Sequence, residues 1–121
     1  MMVQSVAPVL RVVFYRSSLG REPVREWLRS LDPLSKRIFG EDIKTVQYGW
    51  PLGMPLVRSL GGGIWEVRSQ LPGGAGRILF VAVADTMILL HGFVKKTQKT
   101  PSQDLEVARR RAANVRRGGQ P

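Results

Sequence analysis

The sequence predicts an α+β fold: an N-terminal strand, an αα-hairpin, a three-stranded antiparallel meander and a C-terminal helix, folded as one domain over residues 1–121. Three observations predict it. Apolar residues recur at helical spacing between Val24 and Val46, and again between Leu105 and Val115. From Ile64 to Val94 the pattern changes to β-branched and aromatic runs separated by two short turns. The 121 residues, 43% of them hydrophobic, supply one ordinary core, and a chain of this size buries roughly two-thirds of its unfolded surface without staples.

The first strand is VLRVVFY, Val9 to Tyr15, β-branched and aromatic. SSLGREP breaks it. From Glu22 onward, Val24, Trp27, Leu28 and Leu31 mark one helical face. Asp32-Pro33 restarts a helix, because Asp32 can accept hydrogen bonds at the N-cap and Pro33 suits the first turn. Leu34, Ile38, Phe39, Ile43 and Val46 continue the apolar stripe, and YGWPLGMP ends it with glycine and proline. IWEVRSQ alternates between two faces, LPGGAG turns, and RILFVAVA is apolar on both faces, as a covered central strand should be. After the turn at Asp85-Thr86, MILLHGFV is the last strand. Thr100 as N-cap, Pro101 in the first turn and Gln103 make a capping-box start for the final helix, whose inner face is Leu105, Ala108, Ala112 and Val115. Residues 1–8 and 117–121 read as flexible ends.

Charge is the strongest global signal. Nineteen Lys+Arg against nine Asp+Glu give a formal net charge of +10, which points first to nucleic acid as partner. The absence of cysteine excludes disulfides and thiolate metal sites, and the single His91 argues against a zinc site. No run of about 18 apolar residues exists to form a membrane span, and the N-terminus lacks the pattern of a signal peptide, so a cytoplasmic protein without cofactor or metal is expected.

Hairpin geometry concentrates the charge. A turn centred on Pro72-Gly73 sets Arg68 directly opposite Arg77, on the same face. Two like charges side by side are destabilising unless an anion joins them, either an external phosphate or a carboxylate such as Glu66. A two-residue turn at Asp85-Thr86 sets Arg77 opposite Val94, next to Lys95. Arg68, Arg77, Lys95 and Lys96 then gather at one end of the sheet, with Lys99 just beyond, near the N-terminus of the last helix. The stretch FVKKTQKTP, Phe93 to Pro101, therefore reads as one wall of an anion cradle. LGGGIW precedes a strand and lacks a GxxxxGK pattern, so it reads as a flexible connection and not a phosphate loop. His91 is more often a hydrogen-bonded core residue than a catalyst in such a place. Trp27 and Trp65 read as core, and Trp50, in a Gly/Pro loop, as exposed.

WEVR (Trp65 to Arg68), RILF (Arg77 to Phe80), HGFVKKTQKTP (His91 to Pro101) and the following helix with EVARRR resemble the RelE/ParE superfamily of toxins from type II toxin–antitoxin modules, in particular its HigB-like, phage-derived branch. The resemblance spans about Arg11 to Arg116. It implies the RelE-like fold and a ribosome-dependent mRNA endoribonuclease. RelE-type members cut mRNA in the ribosomal A site without metal: a ribose 2′-hydroxyl attacks the adjacent phosphate and leaves a cyclic phosphate. By position it implies Arg77 on the scissile phosphate, Lys95 and Lys96 as the catalytic basic residues after the last strand, and Arg68 and Lys99 as further substrate contacts. It leaves the general base between a lysine of lowered pKa and His91. RelE has a tyrosine in its C-terminal segment, whereas this sequence has no tyrosine beyond Tyr48. The implied partners are mRNA, a cognate helix-turn-helix antitoxin and, through it, operator DNA. The alternatives are a ParE-like gyrase-inhibiting toxin and an inactive nucleic-acid-binding phage relic, because one fold hosts several functions.

Overall fold

The computed structural model describes residues 7–95 and 100–119. Its elements are β1 (Arg11–Phe14), α1 (Pro23–Arg29), α2 (Pro33–Gly49), β2 (Val57–Gly61), β3 (Ile64–Leu71), β4 (Gly74–Val83), β5 (Thr86–Lys95) and α3 (Ser102–Asn114), followed by a wide helical turn, Val115–Gly119. The five strands form one mixed sheet in the order β1-β5-β4-β3-β2. The expected α+β class, αα-hairpin, meander and C-terminal helix are all present. The meander has four strands instead of three, and β1 runs parallel to β5 at the far edge.

The extra strand is β2. Val57 is its one buried residue, and Gly/Pro-rich sequence flanks it, so alternation had little to act on. Gly61, Gly62 and Gly63 all have positive φ, at 87°, 63° and 80°. LGGGIW is therefore the turn that joins β2 to β3 and not a flexible connection, and it needs glycine because side chains disfavour that backbone region.

The sheet is covered on both faces. One core layer packs Val24 of α1 and Phe39, Ile43 and Val46 of α2 against Val67, Ile78, Phe80 and Leu89. The other packs Ala108, Ala112 and Val115 against Ile64, Leu79, Ile88 and Leu90. This double cover explains why β4 is apolar on both faces. Trp27 meets Phe39 edge-on at 5.4 Å between ring centroids. Trp50 is half-buried, packing at 5.1 Å on Trp65 and 5.5 Å on Phe80, so its expected exposure is corrected: the Gly/Pro loop folds its ring back onto the core. Leu34 departs from the predicted stripe and lies exposed.

Asp32 caps α2 as predicted, accepting from the Ser35 amide at 3.0 Å. Thr100 does not cap α3. The N-cap is Pro101, and the Thr100 hydroxyl instead donates to Glu66 Oε2 at 2.5 Å. The predicted flexibility of 1–8 and 117–121 falls largely on residues outside those described. Within them, the Val9 amide bonds the Gln47 carbonyl at 2.7 Å.

Gly92 shows how closely α1 approaches the sheet. A Cβ there would lie 2.4 Å from the Trp27 ring, which is rigid and packed on Phe39. Gly92→Ala should destabilise the protein by about 1–3 kcal/mol, seen as a lower denaturant midpoint with an unchanged slope.

Candidate functional site

The Pro72-Gly73 turn forms as read, and Arg68 pairs with Arg77 across β3 and β4. The next hairpin differs. Its closing pair is Val83 with Thr86, so the turn residues are Ala84 and Asp85, one step earlier than expected. A β-bulge then intervenes: Phe80 pairs with Leu89 but Leu79 with His91, leaving Leu90 as the extra residue. Arg77 therefore stands opposite Phe93 and not Val94, and Ala75 opposite Lys95.

That bulge has a consequence for charge. Side chains alternate along a strand, so a one-residue shift moves every later side chain to the other face. In the uninterrupted register His91, Phe93 and Lys95 would have faced α1 and α2. With Leu90 inserted, they share the α3 face with Arg77 and Arg68. The bulge is fastened from α3: Arg111 donates to the Leu90 carbonyl at 2.7 Å and lies 5.6 Å from the Tyr15 ring. Burial, foremost, lowers the Arg111 pKa. In the sequence Arg111 is only the last arginine of EVARRR, and nothing local announces this contact.

At the centre of the cluster sits a carboxylate. Glu66, on β3, is fully buried. Arg68 Nη1 donates to its Oε1 at 2.9 Å, Arg77 Nε lies 3.7 Å from the same oxygen, and Thr100 holds Oε2. The opposed arginines are thus joined by an internal anion, the second of the two alternatives. Arg77 also donates from Nη1 to its neighbour's carbonyl, Gly76 O, at 2.9 Å, while its Nε is buried without a hydrogen bond. Arg77 is 1% exposed and Lys95 7%. The expected open cradle is corrected accordingly: the cations converge, but Arg77 lies beneath the surface.

Glu66 balances only part of the local charge. Arg58, opposite it on β2, and Arg68 both act against the charge of Arg77 and Lys95. Burial, then the repulsion of Arg77, lowers the Lys95 pKa, with Glu66 opposing. Burial, then Arg68, lowers that of Arg77. The sign for Lys95 follows. Its charged form is penalised in the fold, and the penalty is complete below the lowered pKa. As pH rises through that value toward the ordinary lysine value near 10.4, the unfolded chain binds more protons than the native one, so stability rises. Lys95→Met should raise stability at neutral pH by about 1 kcal/mol and flatten this alkaline slope, as measured by urea unfolding across pH.

His91 lies on the same face but is engaged elsewhere. Its Nε2 is 2.6 Å from Asp104 Oδ1, and its ring stacks on Phe93 at 5.7 Å. It ties the first turn of α3 to β5. Lys96 and Lys99, the other predicted site residues, lie outside the described residues. Among the described residues, no group of three His, Asp or Glu side chains could hold a metal, and no helix is long and apolar enough to cross a membrane.

The fold and the buried cationic cluster define a small basic α+β protein of RelE-like architecture. The model of the phage-derived Gp49-like protein family (DUF891) matches residues 26–113, and the chain belongs to that toxin-like family, within the RelE/HigB-like toxin superfamily. No curated protein matches the chain. Membership implies an antitoxin partner.

Proposed function

We propose that the chain is the HigB-like toxin of a type II toxin–antitoxin module, a ribosome-dependent, metal-independent mRNA endoribonuclease that inhibits translation. The observation that carries this is the convergence of Arg68, Arg77 and Lys95 on one sheet face around a single carboxylate, with the Lys95 ammonium weakened by its surroundings.

Lys95 is the general base. Burial and Arg77 bring its neutral amine closer to physiological pH, where it can take the proton of a ribose 2′-hydroxyl. The 2′-oxygen attacks the adjacent phosphorus, the bond from phosphorus to the 5′-oxygen breaks, that oxygen takes a proton from water, and the Lys95 ammonium returns its proton to solvent. The products are a cyclic phosphate and a 5′-hydroxyl. Arg68, only partly buried, contacts the phosphate. Arg77 lies behind it as a fixed charge, stabilising the charge that builds on phosphorus-bound oxygens without having to reorganise. Lys96 and Lys99 are assigned further phosphate contacts. His91, bound to Asp104, orients the start of α3.

The partners are mRNA in the ribosomal A site, a helix-turn-helix antitoxin that covers basic surface, and operator DNA through that antitoxin, all in the cytoplasm. Expression of the chain alone should arrest growth, with new transcript 5′ ends at codons inside translated frames. Co-expression of the helix-turn-helix protein encoded beside it should restore growth. Growth arrest with intact mRNA and gyrase-linked DNA breaks would overturn the assignment in favour of the ParE-like alternative.

A further inference from the structure

A cavity of about 390 Å³ opens beside the start of β2, just past the point where the Arg68 amide donates to the Leu56 carbonyl at 2.8 Å. Its walls are of two kinds. Ile38, Met54 and Leu56 supply apolar surface, and Asp42, Arg68 and Gln70 supply polar groups. The Asp42 carboxylate is held from one side: buried Ser69 donates from Oγ to Asp42 Oδ2 at 2.6 Å. That bond fixes the carboxylate while its oxygens keep further acceptor positions. Met54 is 61% exposed, leaving a flexible apolar side chain at the rim. Arg68 belongs both to this cavity and to the cationic cluster, through its bond to Glu66.

We infer that this cavity is a nucleobase subsite, selecting bases that carry an exocyclic amino group over uracil. The inference rests on the proposed RNA-handling role of the adjacent cluster. A planar base is a large apolar surface with a polar edge. The cavity presents aliphatic walls for the surface and a fixed carboxylate for the edge. An ionised carboxylate only accepts hydrogen bonds, so it pairs with the amino group of cytosine, adenine or guanine. Against the O4 of uracil it sets acceptor against acceptor, and the one donor of that edge, N3–H, lies a position further in, so the carboxylate fixed by Ser69 meets the amino group and not O4. Arg68 joins the base site to the phosphate site, so one nucleotide spans both. The volume lies at the low end of the roughly 300–1,000 Å³ typical of small-ligand sites, suiting one base and not a larger ligand.

Cytidine and uridine monophosphates are the discriminating probes, because they share sugar, phosphate and ring size and differ only at N3 and C4 of the base edge, where donor and acceptor are exchanged. Titrated into the full chain and followed by amide chemical shifts, cytidine monophosphate should bind about tenfold more tightly than uridine monophosphate. The shifts should centre on residues 42, 54, 56, 68 and 70. Asp42→Asn, which offers a donor as well as an acceptor, should abolish the preference. Equal affinity of the two nucleotides for the unaltered chain, or shifts confined to other surfaces, would overturn the inference without recourse to any variant. The two readings fail separately. A chain that cuts mRNA but ignores the cytosine amino group loses the subsite alone; one that prefers cytidine monophosphate but cuts nothing loses the endoribonuclease reading alone.

Discussion

Replacing Glu66 with glutamine should cost the fold about 3–5 kcal/mol, because the carboxylate is the counter-charge around which Arg68 and Arg77 are buried. Glutamine keeps the size but has one oxygen where the carboxylate has two, so it can accept from Arg68 or from Thr100 at these positions and its amide NH2 faces the other. It removes the negative charge and leaves buried Arg77 and Lys95 to repel each other, with Arg68 and the exposed Arg58 adding to the repulsion. The Nε of Arg77, buried without a hydrogen bond, then loses the carboxylate charge 3.7 Å away. Urea unfolding of the two proteins, compared at equal ionic strength, reads the difference. Added sulfate should narrow the gap, since a mobile anion can take over part of the carboxylate's role. A Glu66→Gln protein as stable as its parent would mean that the cluster is not held by internal neutralisation.

The two halves of this site differ in how legible they were. The Arg68–Arg77 pair followed from the Pro72-Gly73 turn, because a two-residue hairpin fixes register by counting. The presence of Glu66 one period from Arg68 on the same face was also readable from WEVR. The facing of Lys95 was not. It depends on the Leu90 bulge, and MILLHGFV has no glycine or proline at the inserted residue to announce it. Its cause lies in α3, where Arg111 takes the Leu90 carbonyl, a contact between residues 21 apart in sequence. Long-range contacts also redirected Thr100: its hydroxyl fits a local capping box, but a buried carboxylate outcompeted the backbone amide for it. The helices were legible because their apolar stripes and the Asp32 cap are local. Strand β2 was hidden because an edge strand with one buried residue leaves no alternation to read.

Arg77→Met should lower cleavage of ribosome-bound mRNA by about 10²–10³-fold while leaving a folded protein. Methionine fills much of the arginine's volume without its charge. Its removal also relieves repulsion on Arg68 and Lys95, so the variant need not be less stable than the parent. The rate loss alone would not separate a direct role from a general disturbance; the pH profile does. If Lys95 is the base, the rate rises with pH as its ammonium loses a proton, over a range below the ordinary lysine value because burial and Arg77 lower that pKa. Removing Arg77 leaves the burial and deletes the largest repulsive contribution. The rising limb should therefore move to higher pH, toward about 10.4. An Arg77→Met protein that cuts as fast as its parent would remove Arg77 from the chemistry. One that is slower by the same factor at every pH, with its limb unmoved, would show that Arg77 stabilises the phosphate without tuning Lys95, and the base would have to be sought elsewhere on the α3 face.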